Sequence, residues 1–200
     1  MQDEEQNLSY YSLADSQAPL AYYEEQRRLG SILAALGPEL FAGRRLFQIR
    51  QQLYNVKSAR NFCPHPPIKF SVDGHKGIRL GDIAPGHKIP GLEHADSAVI
   101  LSTSSTKVHC RLEIQLDFQD NFRSYDIAIS SCRSTTPPVN HSLEELAHIL
   151  SGAITSKLPS GPLPIGQHLR HVDFNDVFLV ELRNVSQGSW QPVLAVHDSI

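Results

Sequence analysis

Three cysteines, Cys63, Cys110 and Cys132, are too few and too irregularly spaced for a disulfide framework, so they read as free thiols. No apolar run approaches the length of a membrane span, and the opening Met-Gln-Asp-Glu-Glu lacks both a basic and an apolar stretch. Together these absences predict an intracellular protein, of cytoplasm or nucleus, with no membrane partner. Nor is there a Gly-x-x-x-x-Gly-Lys phosphate loop or a Gly-x-Ser-x-Gly elbow, and Gly74, Gly77 and Gly81 are spaced as turn residues rather than as a dinucleotide fingerprint. Ten histidines are present, but His168-Leu-Arg-His171 and Cys63-Pro-His65 are the only close pairs, without zinc-site context. No catalytic residue, cofactor or metal site is therefore expected. Asp117 and Asp126 fall on the polar face of one hairpin, where strand carboxylates ordinarily solvate.

Bases are missing from the first 26 residues, which carry six acids (Asp3, Glu4, Glu5, Asp15, Glu24, Glu25). Residues 27–60 reverse this with seven bases against Glu39 alone, so the two windows are −6 and +6. Arg27, Arg28, Arg44 and Arg45 head the basic set. On an amphipathic helix they read as a solvated face, with a phosphate or acidic partner as the functional alternative.

Strong alternation is what the chain does have. Val108, Cys110, Leu112, Ile114, Leu116 and Phe118 occupy every second position, with polar residues between, which is a strand with one dry face. A second run, Tyr125, Ile127 and Ile129, follows Asp120-Asn121. A two-residue turn there would pair Leu116 with Tyr125, Ile114 with Ile127 and Leu112 with Ile129, and would set Cys110 and Cys132 on opposite faces. Ser142-Leu-Glu-Glu145 is a capping box that starts a helix whose stripe runs through Leu143, Leu146, Ala147, Leu150, Ala153, Ile154 and Leu158. Val177 to Leu182 is apolar at five of six positions, as a strand covered on both sides would be. Trp190 to Val196 returns as a further strand, placed at an edge or beside a bulge by Pro192.

Upstream, Leu29, Ile32, Leu33 and Leu36 predict a helix from Pro19, broken at Gly37-Pro38. Leu40, Phe41, Phe47, Leu53 and Tyr54 predict a second helix from Pro38 to about Val56. The expected organisation is an acidic tail over 1–18, a helical hairpin arm over 19–60, a proline-rich linker and a domain over 68–200. Its fold class is α+β: an antiparallel β-sheet packed on one main helix, with the N-terminal α-helical hairpin beside it.

Phe70-Ser-Val-Asp-Gly-His-Lys-Gly-Ile-Arg-Leu-Gly-Asp82, Gly91-Leu-Glu-His-Ala-Asp96 and Val185-Ser-Gln-Gly-Ser-Trp-Gln-Pro192 resemble the opening and close of a family of uncharacterised proteins of mushroom-forming (basidiomycete) fungi. The resemblance covers about residues 68–196. Ser97 and Ala98 stand where that family carries an aspartate and a proline. It implies no activity, cofactor or catalytic residue.

The function these patterns point to first is a non-catalytic intracellular protein-interaction domain, binding a protein partner or self-associating through the Leu/Ile face of the arm. Trp190 and Gln191 are its candidate contact residues, the other reading of Trp190 being a plug in the core. One alternative is nucleic-acid binding by the basic residues 27–60, although no recognition motif accompanies them. Another is an enzyme with a loop-borne site near residues 63–94.

Overall fold

Val108, Cys110, Leu112 and Ile114 are each fully buried, while Lys107 and His109 between and beside them face solvent, as the alternation demands. The structure, a computed structural model, describes residues 39–41, 44–52, 62–102, 105–119, 121–165 and 167–197. Its strands in chain order are β1 (Glu39–Phe41), β2 (Arg44–Gln48), β3 (Ile68–Lys69), β4 (Ser71–Val72), β5 (His75–Lys76), β6 (Ile78–Arg79), β7 (Lys107–Gln115), β8 (Phe122–Ser130), β9 (Cys132–Arg133), β10 (Val139–Asn140), β11 (Pro162–Ile165), β12 (His168–His171), β13 (Val177–Ser186) and β14 (Ser189–His197). One α-helix, Leu143–Thr155, lies among the described residues.

The centre of the sheet is the hairpin β13–β14, turned at Gly188, whose φ of +77° suits glycine. Residues Ser189 to Val196 are all buried, and Val177, Leu179 and Leu182 have no exposed surface, so both faces of this pair are covered. Along one edge β13 meets β3 and β6. Along the other, β14 meets β7 at its start and β2 at its end. Beyond β7 lies β8.

Two expectations about this sheet are corrected. It is mixed rather than antiparallel, because β7 runs parallel to β14, with His109 beside Ser189 and Cys110 beside Trp190. The chain between them passes through β8, the helix and β13, a crossover long enough to bring a strand back in the same direction. The β7–β8 register is also four residues from the expected one: Leu112 faces Tyr125 and not Ile129. The cause is the loop. Leu116 N–H donates to the Asn121 carbonyl at 2.8 Å, and the Asp117 carboxylate accepts from the N–H groups of Gln119 and Asn121. That side-chain turn closes the hairpin earlier than a two-residue turn would. A shift of four preserves parity, so the same side chains still face inward.

The helix expected from residue 38 to about 56 is not formed over the described part of that stretch. Glu39 to Phe41 and Arg44 to Gln48 are strands, paired with each other and, through β2, with β14. Leu46 sits in a cluster with Phe178 and Ala195, while Phe47 packs against the main core. Adjacent residues that bury on opposite faces need a period of two, and sheet pairing overrides the helical propensity of the segment. The helix expected over 19–36 lies outside the described residues.

Residues Ile49 to Gln52 continue from β2 into the gap where β7 and β14 diverge. Ile49 N–H donates to Leu194 O at 2.8 Å on one side, and Gln115 N–H donates to Arg50 O at 3.0 Å on the other. Gln52 N–H reaches Glu113 O at 2.9 Å. Pro192 stands opposite Leu182 and turns its donor-less nitrogen toward this wedge, where its carbonyl accepts from Gln51 Nε2 at 2.6 Å. The missing N–H thus falls where no strand asks for it, beside the irregular pairing the proline implied.

The helix begins as its capping box requires: Ser142 Oγ accepts from Glu145 N–H at 3.2 Å, and Glu145 Oε2 accepts from Ser142 N–H at 3.1 Å. Leu146, Ala147, Leu150 and Ile154 are fully buried in one core with Val108, Leu112, Leu179 and Trp190. The helix therefore closes one face of the sheet.

Candidate interaction surface

Trp190 and Gln191 are inside. Trp190 has no exposed surface, its indole Nε1 donates to Leu101 O at 2.9 Å, and His65 stacks over its ring at 6.1 Å. Gln191 is also buried and donates from Nε2 to Gln52 O at 2.8 Å. Neither reaches the surface as a contact residue, because β14 is a central strand and not an edge. Arg44 and Arg45 lie in β2, and Arg27 and Arg28 lie outside the described residues.

The region near residues 63–94 is tied together by bonds between its two ends. Asp73 and Gly74 turn with positive φ, Gly74 N–H donates to Glu93 Oε1 at 2.7 Å, and Glu93 N–H donates to Ser71 O at 2.9 Å. Gly91 turns with a φ of +70°, and a Cβ there would press on the Asp73 carboxylate, so the position suits glycine. Elsewhere, a recess of about 40 Å³ between Arg170, His171, Asp173, Asp176 and His197 has room for a water or two rather than a substrate. His168 and His171 occupy the two ends of β12, and no group of three metal-ligating side chains occurs among the described residues.

Asp117 and Asp126, which the expected register made diagonal neighbours, are separated. Asp117 belongs to the turn, where the Gln119 N–H, followed by the Asn121 groups, holds its carboxyl below the ordinary value against some desolvation. Asp126 lies mid-strand on β8, its Oδ1 2.7 Å from His109 Nδ1 and its Oδ2 2.6 Å from Arg111 Nη1. Partly exposed pairs of this kind contribute under about 1 kcal/mol each. Their effect is local: the carboxylate is drawn back over β7 and its charge is balanced. Beneath them Cys110 is pushed up to about 12 by burial and then by the Asp126 charge, which leaves an inert thiol.

What the sequence did not reveal is the position of β8. Among the described residues it pairs with β7 alone, in an unbroken register from Phe122 to Ser130. The polarity of its backbone follows from four bonds. Leu116 N–H points to β8, whereas the N–H groups of His109 and Gln115 and the carbonyl of Glu113 point the other way, to Gly188, Arg50 and Gln52. In an antiparallel pair these roles alternate, so Ser124, Asp126 and Ala128 on β8 turn both N–H and C=O outward. Tyr125 and Ile127, between them, face the core and remain half-buried at its rim. Alternation marked this segment as a strand, but no local signal says that its far side has no partner among the described residues.

Among the described residues, no helix is long and apolar enough to cross a membrane. No protein-family model matches the chain, and the comparisons with curated proteins and with solved structures likewise found no match.

Proposed function

We propose that this protein is a non-catalytic intracellular protein-interaction domain that takes up an extended segment of a partner as an added strand on β8. The observation that carries this reading is the outward row of backbone donors and acceptors at Ser124, Asp126 and Ala128. An unpaired strand edge is a template for another strand, with main-chain hydrogen bonds supplying affinity and flanking side chains supplying selection.

Native edges are usually guarded by proline, lysine, a bulge or an unpaired charge. β8 contains no proline or lysine and shows no register shift, and its central acid is already ion-paired with Arg111 and hydrogen-bonded to His109. Small side chains at Ser124 and Ala128 leave room for a neighbour, and the rim of Tyr125 and Ile127 offers apolar surface to one face of an incoming strand. Three free cysteines suit a reducing compartment.

Ala128→Pro provides the test, because it deletes an outward N–H and no bond to β7. Peptides selected from a displayed random library on the full chain should lose binding to this variant while its melting temperature holds. Selected peptides that bind the variant as well as the native chain remove the proposal.

A further inference from the structure

The geometry points to a second copy of this chain as the occupant of that edge, through antiparallel β8–β8 pairing about a two-fold axis at Asp126; this rests on the strand-addition reading. Pairing of this kind sets outward residues opposite each other in hydrogen-bonded pairs. With Asp126 of one copy opposite Asp126 of the other, Ser124 meets Ala128 twice, both small. On the inner face Tyr125 meets Ile127 twice, so each copy covers the half-buried rim of its neighbour.

Charge decides whether this register is open. Two bare aspartates directly opposite would repel and would guard the edge against self-pairing. Here each carboxylate is bound across the strand by Arg111 at 2.6 Å, with His109 at 2.7 Å on its other oxygen. The centre of the pair is then two acids and two arginines, balanced without help from any third molecule. Arg111 is in this sense a positioning residue: it holds Asp126 back from the edge and removes the guard. A closed two-fold pair also consumes the edge completely, which limits assembly to a dimer.

Sedimentation velocity of the full chain, from nanomolar to high micromolar concentration, tests the inference. The expected result is a shift from monomer to dimer, abolished by Ala128→Pro and by Ala128→Lys, which places a charged side chain on the edge opposite His109, where β7 offers no acid to pair with it, without altering the backbone. Arg111→Ala, with melting checked separately, should weaken the dimer about tenfold or more, because Asp126 regains its repulsion. A chain that stays monomeric throughout, or a dimer that survives both edge variants, overturns the inference. If the chain is monomeric yet its selected peptides still depend on Ala128, self-pairing alone falls; if neither occurs, the strand-addition reading falls with it.

Discussion

The indole N–H of Trp190 donates to the carbonyl of Leu101 across 2.9 Å, joining residues 89 positions apart in the chain. Both residues are essentially without exposed surface, so the bond ties the start of β14 to the loop that leads into β7. Trp190→Phe keeps most of the volume but strands that carbonyl, at a cost of about 1–3 kcal/mol. Trp190→Ala adds a cavity and should cost about 3–5 kcal/mol. Urea denaturation measures both, and an alanine variant as stable as the native chain would place the ring outside the core.

Gln191 satisfies the wedge between β7 and β14 from below, through Nε2 to Gln52 O at 2.8 Å. Gln191 is only 5% exposed, but Gln52, whose carbonyl it satisfies, is exposed and open to water, so Gln191→Leu is expected to cost about 0.5–1.5 kcal/mol, the worth of an ordinary hydrogen bond. Faster hydrogen exchange at the Gln52 and Gln115 amides should accompany it, since both bonds belong to the wedge. Unchanged exchange there would show that the glutamine does not hold the segment.

Ile49 is buried to 1% exposure at the root of the same wedge. Ile49→Ala should cost about 2–5 kcal/mol, as deletions in a close-packed core do. A helical arm lying apart from the domain would instead tolerate the change, so the stability of this variant separates the two arrangements.

Glu145 carries a pH dependence whose sign can be worked out. Burial raises its carboxyl, but the Arg133 hydrogen bond and charge, the Ser142 N–H and the His141 charge outweigh that and leave it below its ordinary 4.5. A depressed folded value means the ion contributes stability at and above 4.5, and that this contribution is lost as pH falls further. Glu145→Gln keeps the reach to Ser142 but not the charge. Its melting temperature should lie below that of the native chain at neutral pH and converge with it in acid; a gap independent of pH refutes the assignment. Because the group is partly exposed, the gap should be small.

Cys110 should be the last thiol to react. Its value near 12 and its burial keep it protonated and covered, whereas Cys63 is exposed and Cys132 half-buried. Labelling with a disulfide reagent in native buffer should leave Cys110 unmodified until denaturant is added. Its labelling in the folded chain would contradict the packing of β7.

Much of this fold was legible because the governing physics is local. The period of two from Val108 to Ile114 names the inner face of β7 whatever its partners, and the Ser142–Glu145 box places the helix start by its own reciprocal bonds. The register of β8 was not legible, since it hangs on the Asp117 side chain choosing the Gln119 and Asn121 amides. Residues 39–48 misled for a different reason: Leu40, Phe41 and Phe47 satisfy a loose helical spacing, and only the presence of β14 alongside selects the strand. The outer edge of β8 is least legible of all, for among the described residues it is defined by what does not pair with it.

The wedge has one consequence for the life of the chain. Gln51 bonds Pro192 across 141 positions, so the β14 wall of the slot it fills does not exist until β14 has left the ribosome. Residues 46–51 lack their β14 partners until then, although β1 and β7 can pair with this stretch earlier, and closure of that side of the sheet becomes a late step governed by sequence-distant encounters. A nascent chain stalled before residue 189 should therefore hold those residues available to a chaperone, and release should be followed by their abrupt protection.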